Sequence, residues 1–363
     1  MMLSIVNVVW STNIFIAIFA VALFLSWKRR SNQELFPADL TQELKGLAIL
    51  AIVFSHIGYF LVADHRFLFP LSIMAGVGLN LFLFLSGYGL VASALAKPRT
   101  IIQYYWQRLP RLYLPFWLAI IFFVVLDYFF LARTYELGVL VKAVLGWFPR
   151  ADLFTNLNSP LWYFSLILFY YLIFPLVFIK KAPWLSALLV YLATWWIIDS
   201  EPKWLIDVQH LYEVHLWAFP LGMTVAWLLT TQKIWTKLVG VLKNSRAVIY
   251  YPVLALLLGF ISYSAYYSGV GQGVKIEERT SLLTMTAIIL LFMIKKVEFR
   301  LLSLFGLLSY EIYLLHWPIL SRYPFLFTYL PAWLAVVVYL MIFLGLAWCL
   351  QVLSTWLNDR LKK

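Results

Sequence analysis

Apolar residues in this chain come in long blocks rather than in alternation with polar ones. Runs of spanning length fall at about 4–27, 46–63, 71–96, 112–131, 161–179, 183–199, 211–231, 247–267, 281–294, 301–320 and 332–354. A hydrocarbon core of about 30 Å takes roughly 20 helical residues. The pattern therefore predicts an all-α polytopic membrane helical bundle of about eleven transmembrane helices. Several of these tolerate an internal Gly, Pro or Ser. The 281–294 run is short and the 183–199 run borderline. The polar stretches between runs are short, so any chemistry belongs to the bundle itself.

Composition agrees: 64% of the 363 residues are hydrophobic, 12% are charged, and the mean hydropathy is +0.87. That excludes a soluble globular domain. The formal net charge of +12 follows the membrane rather than a nucleic acid, and no nucleic-acid partner is expected. No basic residue precedes the first run, and Lys28, Arg29 and Arg30 follow it. A signal peptide has the opposite order, so this is expected to be an uncleaved helix with its N-terminus outside. Alternating from there, twenty of the 28 Lys and Arg fall inside: Lys45 and clusters at 28–30, 97–111, 180–181, 233–246, 295–300 and 360–363. Nine of the 16 Asp and Glu, among them Asp64, Asp152, Glu213 and Glu277, fall outside. This is the positive-inside bias, and it predicts an inside C-terminus in a multi-pass protein; the plasma membrane is the expected location. The single cysteine, Cys349, gives no disulfide framework and no Cys-based metal site.

Polar residues inside the runs are the candidates for function, because an ionisable group at membrane depth is costly. Lys45 and His56 are eleven residues apart, which returns to about 20° on a helix and rises roughly 16 Å. One stripe thus carries a cation at the water boundary and an imidazole near mid-membrane. The plainer alternative is a histidine hydrogen-bonded to a neighbouring helix. In Ser309-Tyr-Glu-Ile-Tyr-Leu-Leu-His-Trp-Pro318, the residues Ser309, Tyr313 and His316 share a face, while Glu311 points elsewhere and needs a partner of its own. Helix–helix hydrogen bonding is the competing account there too. Arg108-Leu-Pro-Arg111 follows Tyr104, Tyr105 and Trp106. It suits phosphates and a stacked purine, or equally lipid headgroups.

The third run holds Asn80 and Ser86-Gly-Tyr88, and Ser86, Gly89 and Ser93 form a small-residue face that lets another helix, or a ligand chain, approach closely. Trp162 and Tyr163 open the fifth run where an outer interface should be. His210-x-x-Glu213-x-His215 lacks a strong zinc spacing, so a hydrated interfacial cluster is expected and no metal. His65 is expected to be solvated. No internal repeat or matched pair of broken helices supports a secondary transporter.

Taken in order, Lys45-x10-His56, Leu-Ser-Gly-Tyr88, Arg108-x-x-Arg111, Leu-Trp-Tyr163 and Ser-Tyr-x-Ile-Tyr-Leu-x-His316-x-Pro318 resemble the acyltransferase 3 family of integral-membrane O-acyltransferases. The resemblance runs from about residue 40 to the last span. It departs from the family in two places. Lys45 stands where arginine is commoner, and an extra helix precedes the usual ten-helix core. The expected organisation is an N-terminal transmembrane helix over 1–30 and an acyltransferase membrane domain over 40–358. A stand-alone form without an appended hydrolase-like domain is expected.

The resemblance implies a donor of acetyl-CoA, or another acyl-CoA, reaching the bundle from the cytoplasm. The acceptor it implies is a hydroxyl of a cell-surface glycan or glycolipid precursor. Lys45, Arg108 and Arg111 would meet the donor's phosphates, with Ser86 and Tyr88 beside them. His56 would be the base or carry the acyl group briefly. His316, Glu311, Tyr313 and Ser309 would assist, and Asn80, Trp162 and Tyr163 would meet the acceptor. The alternative is a proton-coupled transporter or glycan flippase with Lys45, His56 and Glu311 as a relay. Membrane lipid is a partner in either case, and a monomer or a homodimer is equally compatible with the short loops.

Overall fold

A computed structural model describes residues 2–30, 34–151, 157, 159–231, 237, 240–243, 245–269 and 273–361. Four charged residues used in the topological argument, Asp152, Lys233, Lys362 and Lys363, lie outside the described residues.

Each apolar run is helical. The chain begins with α1 (Val8–Leu25), then α2 (Ala38–Ser55), α3 (Ala75–Ala96), α4 (Ile101–Leu131), α5 (Leu137–Val144), α6 (Trp162–Val177) and α7 (Pro183–Asp199). It continues with α8 (Gln209–His215), α9 (Ala218–Thr231), α10 (Ala247–Tyr267), α11 (Val274–Ile294) and α12 (Arg300–Leu307), and ends with α13 (Ser309–Arg322), α14 (Leu326–Tyr329) and α15 (Ala332–Leu361). Among the described residues, seven helical segments are long and apolar enough to cross a membrane. The other runs differ from a plain span for physical reasons. The α6 and α7 helices are apolar but shorter. Four charged residues occupy the first turns of α11, Lys275, Glu277, Glu278 and Arg279. The 301–320 run breaks at Leu308 into α12 and α13. The chain is an all-α polytopic membrane bundle.

At its centre, α2 is buried nearly all round, with Leu44, Ala48, Ile49, Ile52 and Val53 withdrawn from the surface. Lipid supplies little hydrophobic drive between helices, so close approach through small residues holds such bundles together. Here α2 and α12 meet at Gly46 and Gly306: a methyl group at Gly46 would overlap the Leu302 carbonyl, and one at Gly306 the Gln42 carbonyl. Similarly, α3 meets α9 through Gly87 and Gly222, each against a backbone carbonyl of the other helix, from Phe219 and Phe84. The helix contact of α3 thus falls on Gly87, while Ser86 of the expected small-residue face lines a cavity. Gly89 looks into open space, and Ser93 accepts a hydrogen bond from Arg99 at 2.9 Å.

Buried ion pairs pin the two ends of the bundle. At the Lys45 end, Lys295 Nζ reaches Glu43 Oε1 at 2.6 Å, and the Phe299 amide donates to the same oxygen at 2.6 Å. A two-stranded ribbon, β1 (Trp27–Arg29) with β2 (Val297–Phe299), sits beside it and sets Lys28 against Glu298 at 2.9 Å. The extra N-terminal helix is thereby tied to the bundle, and Phe15 and Phe19 pack edge-on against Phe54 of α2. At the opposite end, Asp127 of α4 pairs with Arg322 of α13 and also accepts from the hydroxyls of Tyr135 and Tyr323.

Candidate active site

At the Lys45 end the helices part around a cavity of about 210 Å³. Its lining gathers seven of the residues singled out by sequence: Lys45, Ser86, Arg108, Arg111, Tyr163, Ser309 and Tyr313. They come from five helices. Gly46 lets α2 and α12 touch, which brings the start of α13 beside Lys45. The early turns of α4 present Arg108 and Arg111 to the same space. None of the three cations makes an ion pair among the described residues. Glu311, itself buried, interacts with Lys45 through charge, which supplies the partner it required. Three cations around a partly buried cavity repel one another, and an anionic ligand relieves that. Tyr171 and Tyr310 also line the cavity and were missed in sequence. The Tyr310 hydroxyl donates to the Leu112 carbonyl at 2.6 Å. A tyrosine inside an apolar run looks like packing, so little in the sequence marked Tyr171, whereas Tyr310 stands in the motif that ends at Pro318 without having been given a role.

His56 and His316 lie deeper and do not line this cavity. The connection is Tyr313, which lines it and has its ring centroid 6.3 Å from that of His316. Immediately at His56, α2 changes to a π-helical turn over His56–Leu61. Such turns are rare and often sit at functional positions. No feature of the sequence announced this one.

The two imidazoles stack with centroids 4.9 Å apart and planes at 10°, and His56 Nδ1 lies 2.6 Å from His316 Nε2. Hydrogen-bond partners fix the direction of this bond. His316 Nδ1 faces two carbonyl oxygens, of Ile312 at 3.0 Å and Tyr313 at 2.9 Å, so Nδ1 carries the proton. In a neutral ring, His316 Nε2 is then an acceptor. His56 Nδ1 must donate to it, and the lone pair of His56 falls on Nε2. That atom makes no hydrogen bond among the described residues. The rings of Trp317, at 5.0 Å, and Phe60, at 5.6 Å, wall the imidazole in.

The remaining candidates sit elsewhere. Tyr88 packs on Phe36, centroids 4.3 Å apart, outside the cavity. Asn80 is fully buried, with Nδ2 donating to Ser281 Oγ at 2.9 Å and Oδ1 lying 2.8 Å from His215 Nδ1. Trp162 stacks on His215 at 5.9 Å. The hydrated cluster expected around Glu213 is therefore corrected: His215 is turned inward at 2% exposure, and only His210 faces outward. His65 is exposed and stacks on Tyr59.

A helical membrane bundle with a basic cavity at one end and a walled imidazole beyond it offers a space for an anion and a base. The family model described as "Acyltransferase domain", that of the acyltransferase 3 type, matches residues 44–352, most of the chain. The chain belongs to this family and is a membrane acyltransferase. No curated protein and no solved structure matches it.

Proposed function

We propose that the protein moves an acetyl or other short acyl group from acyl-CoA to a hydroxyl of a cell-surface carbohydrate or its lipid-linked precursor, in the plasma membrane. The observation that carries this is the ordered pair of histidines beyond a cavity lined by three cations. Phosphates of the donor are met by Lys45, Arg108 and Arg111 at the end predicted to face the cytoplasm. The pantetheine arm runs past Tyr313 toward His56.

His56 Nε2 takes the proton of the acceptor hydroxyl as its oxygen attacks the thioester carbonyl. The C–S bond then breaks, and the thiolate of CoA recovers the proton from the imidazolium. His316 does not touch the reacting atoms. It holds His56 in the tautomer that leaves Nε2 free, so it is a positioning residue. Ser309, Tyr310 and Tyr163 line the same cavity as the cations and orient the donor there.

The test is purified protein with radiolabelled acetyl-CoA and a glycan acceptor. Label should leave CoA at a rate that falls by about 10²–10⁴ in His56→Ala and His56→Gln. If those variants insert normally and keep most of their transfer, the mechanism is wrong. Uptake of glycan driven by a proton gradient, with the label remaining on CoA, would make the protein a transporter.

A further inference from the structure

Beside the main cavity, and sharing Arg108 with it, lies a smaller pocket of about 120 Å³ lined by Ser93, Lys97, Arg99, Ile101, Tyr104 and Arg108. None of its three cations makes an ion pair among the described residues. Ser93 Oγ fixes one arm of Arg99 at 2.9 Å. Arg99 Nε, by contrast, is buried with no hydrogen-bond partner among the described residues, and so is the Tyr104 hydroxyl. Tyr104 is only 6% exposed. Buried donors without partners are uncommon, because each forgoes the bonds it would make with water.

The pocket also receives the start of α4. Thr100 and Gln103 cap that helix reciprocally. This satisfies the amides of Thr100 and Gln103 and leaves those of Ile101 and Ile102 at the positive end of a 31-residue helix. Lys97, Arg99 and Arg108 bring three cations to the pocket, and the Arg99 Nε–H and the Tyr104 hydroxyl are buried donors there. At about 120 Å³ the pocket has room for a tetrahedral anion.

We infer that this pocket binds a phosphomonoester, and, resting on the donor proposed above, that it is the separate phosphate on the ribose of acyl-CoA. The diphosphate and that phosphomonoester are two anionic groups on one nucleotide, and the two basic sites meet at Arg108. The protein would thereby distinguish CoA esters from those lacking the ribose phosphate.

A binding measurement tests this independently of turnover. Protein in phosphatidylcholine nanodiscs is titrated with adenosine 3′,5′-bisphosphate and with adenosine 5′-monophosphate. The bisphosphate should bind at least about tenfold tighter, the scale of one charge-assisted hydrogen bond. Arg99→Gln, and separately Lys97→Gln, should bring the ratio toward one. Equal binding of the two nucleotides by the wild type overturns the inference. So does a preference that survives in the Lys97→Gln/Arg99→Gln double variant. Loss of bisphosphate binding in phosphatidylglycerol nanodiscs overturns it as well, because the pocket would then belong to lipid headgroups. A wild type that separates the nucleotides yet consumes no acyl-CoA keeps the pocket and refutes the transfer reaction instead.

Discussion

Replacing His316 separates a hydrogen-bond role from a packing role at the histidine pair. In His316→Leu the acceptor 2.6 Å from His56 Nδ1 is gone. His316 is itself fully buried, so no water takes its place and the His56 donor loses its partner. Two effects follow. Stability falls by about 1–3 kcal/mol for the unsatisfied group, which thermal unfolding in nanodiscs would measure. The proton of His56 is also no longer held on Nδ1, and the lone pair needed at Nε2 is lost in part of the molecules. A correctly placed base contributes about 10²–10⁴ in rate, and His316→Leu should forfeit a large share of that in kcat. KM for the donor should move little, because His316 does not line the basic cavity. His316→Gln is the control, since its amide oxygen can accept from His56 Nδ1 and preserve the tautomer. It should stay within about tenfold of wild type. The reasoning is refuted if folded His316→Leu transfers acyl groups at the wild-type rate. It is equally refuted if His316→Gln and His316→Leu fall together, because the acceptor would then be irrelevant.

Other consequences are open to direct measurement. Lys45→Gln should raise KM for acyl-CoA by about tenfold or more through loss of a charge-assisted contact, while Lys45→Arg restores it; an unchanged KM would leave Lys45 only anchoring the helix. Asp127→Asn or Arg322→Gln alone should cost about 3–5 kcal/mol, since each strands a buried charge, whereas the double change to Leu and Met should cost much less; equal melting temperatures across the three would show that the pair bears little of the fold. Gly46→Ala or Gly306→Ala should sharply lower the yield of folded protein, because the α2–α12 crossing has no room for a methyl, and Gly345→Ala, which faces open space, should express normally. Asn80→Leu should lower the melting temperature through loss of its bonds to Ser281 and His215 without changing KM for the acceptor. A selective rise in that KM would return Asn80 to the binding site.

Membrane helices were legible because hydrocarbon leaves no other way to satisfy the backbone: every apolar run became helix. What the runs could not reveal is which helices touch and where they bend. The crossing of α2 and α12 depends on Gly46 meeting Gly306, residues 260 apart in sequence, and neither looks unusual among its neighbours. The contact of α3 with α9 was hidden for the same reason, since Gly87 and Gly89 are equally small and only the partner helix decides which is used. Asp127 and Arg322 were an avoidable omission. A carboxylate near the end of a long apolar run meets the same criterion that drew attention to His56.

Within the site, helical spacing was sufficient wherever partners share a helix and silent wherever they do not. Ser309 and Tyr313 reached one cavity as the four-residue interval requires, and Lys45 came to the same wall. Yet the same stripe that aligned Lys45 with His56 stops short of joining them, because α2 loosens into a π-helical turn at the histidine and hands it to α13. The imidazole's chemistry is set there by two backbone carbonyls, of Ile312 and Tyr313, acting through His316. Carbonyls leave no trace in residue identity. What sequence does record is the placement of a second histidine four residues beyond Ile312 and three beyond Tyr313, where an α-helix brings its own ring nitrogen back onto those oxygens. The motif Ser309 to His316 is thus legible as a tautomer lock only once its partner across the helix pair is known.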